Sequence, residues 1–227
     1  MKRFFLVLFL ISLSSTKAQI HEVGVFFGGS NFIGDVGPTT YVNPNEPAYG
    51  LLYKWNKSPR HSWRASFIQS KLTSRDADSD MKSRKGRDYS FENSAKELSL
   101  GLEFNFFDFN QHDMTKKVTP YIYSGLSYTR YDGLFFAGEN YPKTEKKYGA
   151  LAIPMTIGVK AKVLDHWVIG IEAGARYTFK DDIDGSNPTS NKLSHLKFGN
   201  INSTDWYVFS GITLTYTFGN KPCYCKL

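Results

Sequence analysis

Between Trp167 and Phe179 the chain alternates without a break. Trp167, Ile169, Ile171, Ala173, Ala175, Tyr177 and Phe179 are apolar or aromatic, while Val168, Gly170, Glu172, Gly174, Arg176 and Thr178 are mostly small, polar or charged. A strict period of two gives a strand with one apolar and one polar face. Thirteen residues is long for a globular strand and enough to cross a bilayer at a tilt. Aromatic residues stand at both ends, and the polar face carries opposite charges four residues apart. This is the pattern of an outer-membrane barrel strand, apolar toward lipid and polar toward the lumen.

Other segments repeat it. Leu98, Leu100, Leu102, Phe104 and Phe106 alternate with Ser99, Gly101, Glu103 and Asn105; Ile153 to Val163, Val208 to Phe218, Tyr49 to Trp55 and Trp63 to Phe67 behave alike. In Pro120–Tyr131, Ile122, Leu126 and Tyr128 compete with Tyr121 and Tyr123 for the apolar face. Eight strands are predicted, roughly 20–30, 47–56, 62–73, 90–107, 118–131, 149–163, 166–180 and 205–218. The fold class expected is all-β, an eight-stranded antiparallel transmembrane outer-membrane β-barrel over residues 19–219. Long polar connections (31–46, 74–89, 132–148, 181–204) alternate with short ones (57–61, 108–117, 164–165). Bacterial barrels keep short turns on the periplasmic side, so both termini are expected in the periplasm. Trp55, Trp63 and Trp167 fall beside short turns and Trp206 beside a long loop, as in two interfacial girdles.

The chain opens with Met1-Lys2-Arg3, an apolar run Phe4–Leu13 and small residues to Ala18. That reads as a secretory signal peptide over residues 1–18. Without it Lys2, Arg3 and Lys17 are lost, leaving 25 basic and 21 acidic side chains, net +4. Such a balance, in a secreted chain, argues against nucleic acid as a partner. No later apolar run is long enough for a membrane helix.

Inward-facing charges are expected at Lys54, Arg64, Glu97, Glu103, Lys160, Lys162, Glu172 and Arg176. Eight strands leave an interior just filled by side chains, so these charges should pair, with Arg64, Glu103, Lys160, Glu172 and Arg176 as the core of a polar plug. The five histidines, His21, His61, His112, His166 and His195, give no convincing catalytic partner. Ser62 adjoins His61, but neighbours in a strand face opposite ways. No catalytic residues, metal site or cofactor are expected. The basic loop 75–87 reads as a solvated loop or a contact for anionic lipopolysaccharide. Past the last strand, residues 220–227 form a tail containing Lys221, Pro222, Cys223, Tyr224 and Cys225. Pro222 stops the strand from continuing, and two cysteines in an oxidising compartment are not expected to stay free thiols. Closure on themselves, pairing with a partner and metal binding all stay open. The tail is taken as a periplasmic partner-binding handle.

Three segments carry a family resemblance: His21–Asp35 with its Asn-Phe-Ile-Gly-Asp stretch, Tyr53–Arg64, and Thr204–Gly219 with the closing Lys221–Cys225. In these the chain resembles the PorG family, the barrel component of the type IX secretion system of Bacteroidota. The resemblance implies a non-enzymatic outer-membrane subunit. It would contact outer-membrane lipids and a periplasmic ring built from a lipoprotein and its partner protein, without being the protein-conducting pore. The alternative is a free-standing small OmpA-like barrel that adheres or stabilises the envelope, or, further off, modifies lipid A.

Overall fold

The computed structural model describes residues 20–111, 116–137, 142–200 and 203–219. The signal segment 1–18, His112 and the tail 220–227 lie outside the described residues. Eight strands, β1 (Ile20–Ile33), β2 (Glu46–Asn56), β3 (His61–Arg75), β4 (Ser90–Asn105), β5 (Val118–Phe135), β6 (Lys143–Leu164), β7 (Trp167–Thr178) and β8 (Trp206–Phe218), close into one ring. Each pairs antiparallel with its sequence neighbours, and β1 closes on β8 from His21 opposite Phe218 to Ile33 opposite Trp206. A closed ring leaves no strand edge without a partner. One end holds the start of β1, the end of β8 and the three short connections; it is called the terminal end. The other is the loop end.

The burial pattern is turned inside out. On β4, Leu98 and Leu100 are each 60% exposed while Glu97 and Glu103 are 0% exposed. On β7, Ile171 is 67% exposed while Glu172 and Arg176 are buried. In water such an exterior would be a continuous apolar patch, which soluble proteins avoid. Its natural solvent is lipid. On β5 the competing faces are resolved: Tyr121 and Tyr123 point in, and Ile122, Leu126 and Tyr128 point out. Both ends carry aromatic groups. Trp167 packs against Tyr216 and His21 stacks with Tyr53 and Phe218 at the terminal end; Tyr177 packs against Trp206 at the loop end.

A ring of eight strands curves sharply, so side chains on its inner surface crowd. Gly101 and Gly125 sit opposite each other on β4 and β5. A Cβ on either would lie 2.2 Å from a carbonyl oxygen of the facing strand, so only glycine permits that close approach.

Two expectations are corrected. The connection 132–148 is not a long polar loop throughout: β5 runs to Phe135 and β6 starts at Lys143, with Phe135 opposite Lys143. The added segment Lys143–Lys147 is exposed, so it shows no apolar alternation to read. The interior is also not polar along its whole length. Phe26, Ile68, Leu72, Phe91, Tyr131, Leu134 and Tyr207 are part of a buried apolar cluster with Phe32 and Ile183, toward the loop end.

Leu100 and Leu126 face each other across β4 and β5 on the outer surface. Leu100→Arg should cost about 2–4 kcal/mol near mid-bilayer. The check is the fraction of chain that folds into vesicles, read as the heat-modifiable gel band. That fraction should fall, whereas Thr156→Val on the inner face, which removes a buried hydroxyl that makes no hydrogen bond, should leave it nearly unchanged.

Candidate functional site

Three places carry concentrated chemistry: the lumen, the rim at the terminal end and the docked loops at the loop end. In the lumen Arg64 (β3) reaches across to Glu172 (β7). Its Nη1 donates to Oε2 at 2.7 Å and its Nη2 to Oε1 at 2.6 Å, a fork that suits a carboxylate. Tyr121 donates to the same Oε2 at 2.5 Å. Glu103 (β4) receives Lys54 (β2) at 2.8 Å and Lys160 (β6) at 2.5 Å, with Arg64 at 3.5 Å. The Arg64 guanidinium lies 4.7 Å from the Tyr123 ring centroid.

A second ionic layer lies nearer the loop end. Arg176 Nε stands 3.2 Å from Glu97 Oε1, its guanidinium covers the Phe209 ring at 4.6 Å, and Tyr207 donates to Glu97 Oε2 at 2.6 Å. Glu172 and Arg176, four residues apart on β7, therefore pair across the lumen and not with each other. Arg64, Glu103, Lys160, Glu172 and Arg176 are all buried, as are Lys54, Glu97 and Lys162.

Sequence reasoning missed Glu22. It accepts Asn56 Nδ2 at 2.8 Å and Thr215 Oγ1 at 2.8 Å, and it also accepts from Gln111 Nε2. Its even-numbered position, shared with the buried Phe26, was the available signal. Gln111 belongs to the connection after β4, which turns into the terminal mouth. Its carbonyl accepts from Lys162 at 2.8 Å, and buried Phe109 lies under Lys160 at 5.0 Å.

The terminal rim exposes Lys57, Arg60, His61, Lys116 and His166. Two shallow cavities open among them. One of 380 Å³ is lined by Lys116, Lys162, His166, Trp167 and Tyr216, and one of 430 Å³ by Lys57, Ser58, His61, Trp63 and Leu102. Charged groups above aromatic rings at this level suit the boundary between lipid and water. The partner-binding residues expected from sequence, Lys221–Cys225, lie outside the described residues.

The described histidines do not gather. His21 Nδ1 is 2.8 Å from Tyr53 Oη, His166 Nδ1 donates to the Thr217 carbonyl at 3.1 Å, and His195 sits on a 3-10 turn (Asn191–Leu196) at the loop end. Ser62 donates inward to Asn56 Oδ1, while exposed His61 meets Ser58 Oγ at 3.2 Å. Ser58 Oγ also accepts the amides of Arg60 and His61, which marks it as the cap of the turn.

At the loop end the basic loop is not simply solvated. It folds as a 3-10 turn (Asp76–Asp78) and α1 (Lys82–Arg87). Buried Asp76 accepts Arg87 Nε at 2.6 Å and the Gly37 and Tyr89 amides at 3.0 and 3.2 Å. Arg84 donates to the Gly37 and Gly34 carbonyls at 2.6 and 2.9 Å. Only Arg75, Lys82 and Lys85 stay exposed among its basic residues. Opposite, residues 182–186 dip into the mouth, with Ile183, Asp184 and Ser186 at 0% exposure. Burial, followed by the like charge of neighbouring carboxylates, pushes Asp184 up to about 6 and Asp205 well above the usual carboxylate range. Burial pushes Asp181 up to about 7.

The sequence matches the profile described as "Domain of unknown function (DUF6089)" over residues 1–227. The chain belongs to the DUF6089 family. No curated protein matches it. Among solved structures, this DUF6089 barrel is similar to the attachment invasion locus protein Ail of Yersinia pestis, solved with the heparin analogue sucrose octasulfate. The identity is 11%, over 89% of this chain and 100% of that one, with a TM-score of 0.48. It is also similar to Neisserial surface protein A (8%, 89% and 100%, TM-score 0.48) and to the N-terminal barrel domain of Pseudomonas aeruginosa OprF (9%, 89% and 100%, TM-score 0.47). At those scores the likeness carries no inference about what a DUF6089 barrel binds.

Removing one partner of a buried pair leaves an uncompensated charge, at about 3–5 kcal/mol. Arg64→Met should therefore lower the urea midpoint of the refolded barrel sharply. Arg64→Met combined with Glu172→Gln, which still accepts from Tyr121, should recover most of that loss. Equal destabilisation by the single and double variants would count against the pair as the reason for the cost.

Proposed function

We propose that this chain is a non-catalytic outer-membrane barrel that serves as an assembly subunit of the type IX secretion machine, meeting the periplasmic ring with its terminal end. The observation that carries the non-pore part is the blocked lumen. Phe109 and Gln111 close the terminal mouth, two ionic layers fill the middle, and an apolar plug closes the loop end. Water-filled channels belong to much wider barrels. A barrel whose described lumen is so filled works through its surfaces.

Support for the terminal end comes from the family resemblance and where its segments fall. Although scattered along the sequence, His21–Asp35, Tyr53–Arg64 and Thr204–Gly219 lie on adjoining staves, since β1 is flanked by β8 and β2, and β2 by β3. The start of β1, the β2–β3 turn and the end of β8 meet at the terminal rim, where the chain runs on into Lys221–Cys225. With the long loops outside the cell, that rim would face the periplasm. Exposed Lys57, Arg60 and His61 offer a basic contact next to it.

The second reading, a free-standing adhesive or envelope-stabilising barrel, rests on the ordered outer loops, which Asp76 and Arg87 hold in one arrangement. Deleting residues 220–227 separates the two. The expected result is a heat-modifiable barrel in normal amount, with secretion lost and the ring proteins no longer recovered with it. Full secretion by the truncated chain, together with loss of function when residues 181–203 are replaced by a short Gly-Ser loop, would favour the second reading. In planar bilayers the full-length barrel should show no steady conductance.

A further inference from the structure

The two cavities of the terminal rim repeat one composition. The cavity of 380 Å³ beside the β6–β7 turn carries Lys116, His166, Trp167 and Leu164; the one of 430 Å³ beside the β2–β3 turn carries Lys57, His61, Trp63 and Leu102. Strands β2 and β3 lie four staves from β6 and β7, so the cavities open on opposite sides of the ring. Each sets a lysine and a histidine against a tryptophan and a leucine.

The polar half of each is exposed and uncommitted. Among the described residues Lys57 and Lys116 have no ion-pair partner. His166 Nδ1 donates to the Thr217 carbonyl at 3.1 Å and His61 Nδ1 meets Ser58 Oγ at 3.2 Å, so each ring is fixed through one nitrogen and keeps Nε2 for a ligand. Buried Lys162 also lines the first cavity, and Asp165 is the one acid there; the second lining has none. The apolar half faces outward. Trp63, Leu102, Leu164 and Trp167 are exposed on the outer wall, which continues as Phe67 and Leu100 below one cavity and Ile169 and Ile171 below the other. Tyr216 packs against both His166 and Trp167, with ring centroids 5.5 and 5.3 Å apart, and so joins the two halves of the first cavity.

We propose that each cavity holds the head of an anionic phospholipid of the phosphatidylglycerol type, with the acyl chains laid down the apolar wall below. The lysine ammonium meets the phosphate, a charge-assisted hydrogen bond of the stronger kind. With Nδ1 donating to a carbonyl, a neutral His166 presents Nε2 as an acceptor, which suits a hydroxyl of a glycerol head. The tryptophans mark the level at which the apolar belt ends and headgroups begin, and basic pockets at that level attract anionic lipids. A soluble anion would use the lysine and leave the tryptophan and leucine uncovered, whereas an amphiphile covers both halves. The proposal asks only that the outer wall lie in a bilayer, so it stands independently of the secretion reading.

The test is native mass spectrometry of the full-length chain, refolded in a non-ionic detergent and titrated with phosphatidylglycerol or with phosphatidylcholine of the same acyl chains. The expected result is two saturable phosphatidylglycerol adducts, each held several-fold more tightly than phosphatidylcholine. Lys116→Gln with His166→Gln should weaken one adduct and Lys57→Gln with His61→Gln the other, each lysine costing roughly fivefold in affinity. Lys71→Gln, an exposed lysine of β3 outside both cavities, should change neither. If a histidine substitution disturbs folding, as judged by unboiled gel mobility, the lysine substitution alone decides. Glycerol 3-phosphate, a head without chains, should not displace the lipid. Equal binding of the two lipids, phosphatidylglycerol binding that survives the substitutions, or displacement by glycerol 3-phosphate at a matching concentration would overturn the proposal. Loss confined to one pair of substitutions would overturn it for the other cavity.

Discussion

The width of the lumen governs this molecule. Closing eight strands leaves room for the side chains that point inward and little else. Arg64 and Glu172 fill that width between them, meeting from opposite walls in a two-bonded fork. Once they occupy it, the Tyr121 hydroxyl is left to donate its hydrogen bond to Glu172, and Glu103 gathers both Lys54 and Lys160. Elsewhere the wall gives way with glycine, as at Gly101 and Gly125, where the strands come too close for a Cβ.

Ion pairs of this kind are poor sources of net stability, because desolvation offsets most of the attraction. Their value here lies in which strands they join. Backbone hydrogen bonds connect each strand only to its two neighbours. The Arg64–Glu172 pair joins β3 to β7, Glu97–Arg176 joins β4 to β7, and Glu103 joins β4 to both β2 and β6. These links cross the ring and hold its section against flattening. A purely apolar filling could occupy the same volume, but it would not select one set of opposing partners. At the loop end the filling becomes apolar, and there the loops supply the specificity through Asp76 and its partners.

The strands were legible because their alternation reports two solvents at once. Ile169, Ile171 and Leu100 must face lipid, and Glu172, Arg176 and Glu103 must not. Sequence therefore assigned the inward charges of β2, β3, β4, β6 and β7 to their proper face. It could not pair them, since pairing depends on the stagger of strands around the ring, and so Glu172 and Arg176 appeared as near neighbours when each binds across the lumen. β1 was harder to read because Gly24, Gly28 and Gly29 dilute its contrast, which hid Glu22. The docked loops were not legible at all. Phe32, Val36 and Ile183 look like ordinary loop residues until the apolar upper lumen gives them something to cover. Arg84 and Arg87 likewise look like solvated charge until carbonyls and Asp76 come within reach.

The same reasoning separates what holds the barrel together from what is left for a partner. The Asn-Phe-Ile-Gly-Asp stretch at residues 31–35 is one of the more specific segments of the family resemblance, yet Asn31, Phe32, Gly34 and Asp35 are each occupied inside the fold. Asn31 donates to the Thr40 and Tyr41 carbonyls and accepts the Asn43 amide; Phe32 packs edge-on to Phe91; the Gly34 carbonyl accepts Arg84; Asp35 accepts the Asn200 amide. A motif so fully used internally preserves the shape of the loop end and has little left to offer another protein. The groups of the terminal rim differ in kind. Lys57, His61, Lys116 and His166 stand exposed on short connections, His61 and His166 against aromatic rings. A contact built on short connections has less chain to order on binding than one built on long loops. On the proposed function, this makes the terminal end the more economical docking face.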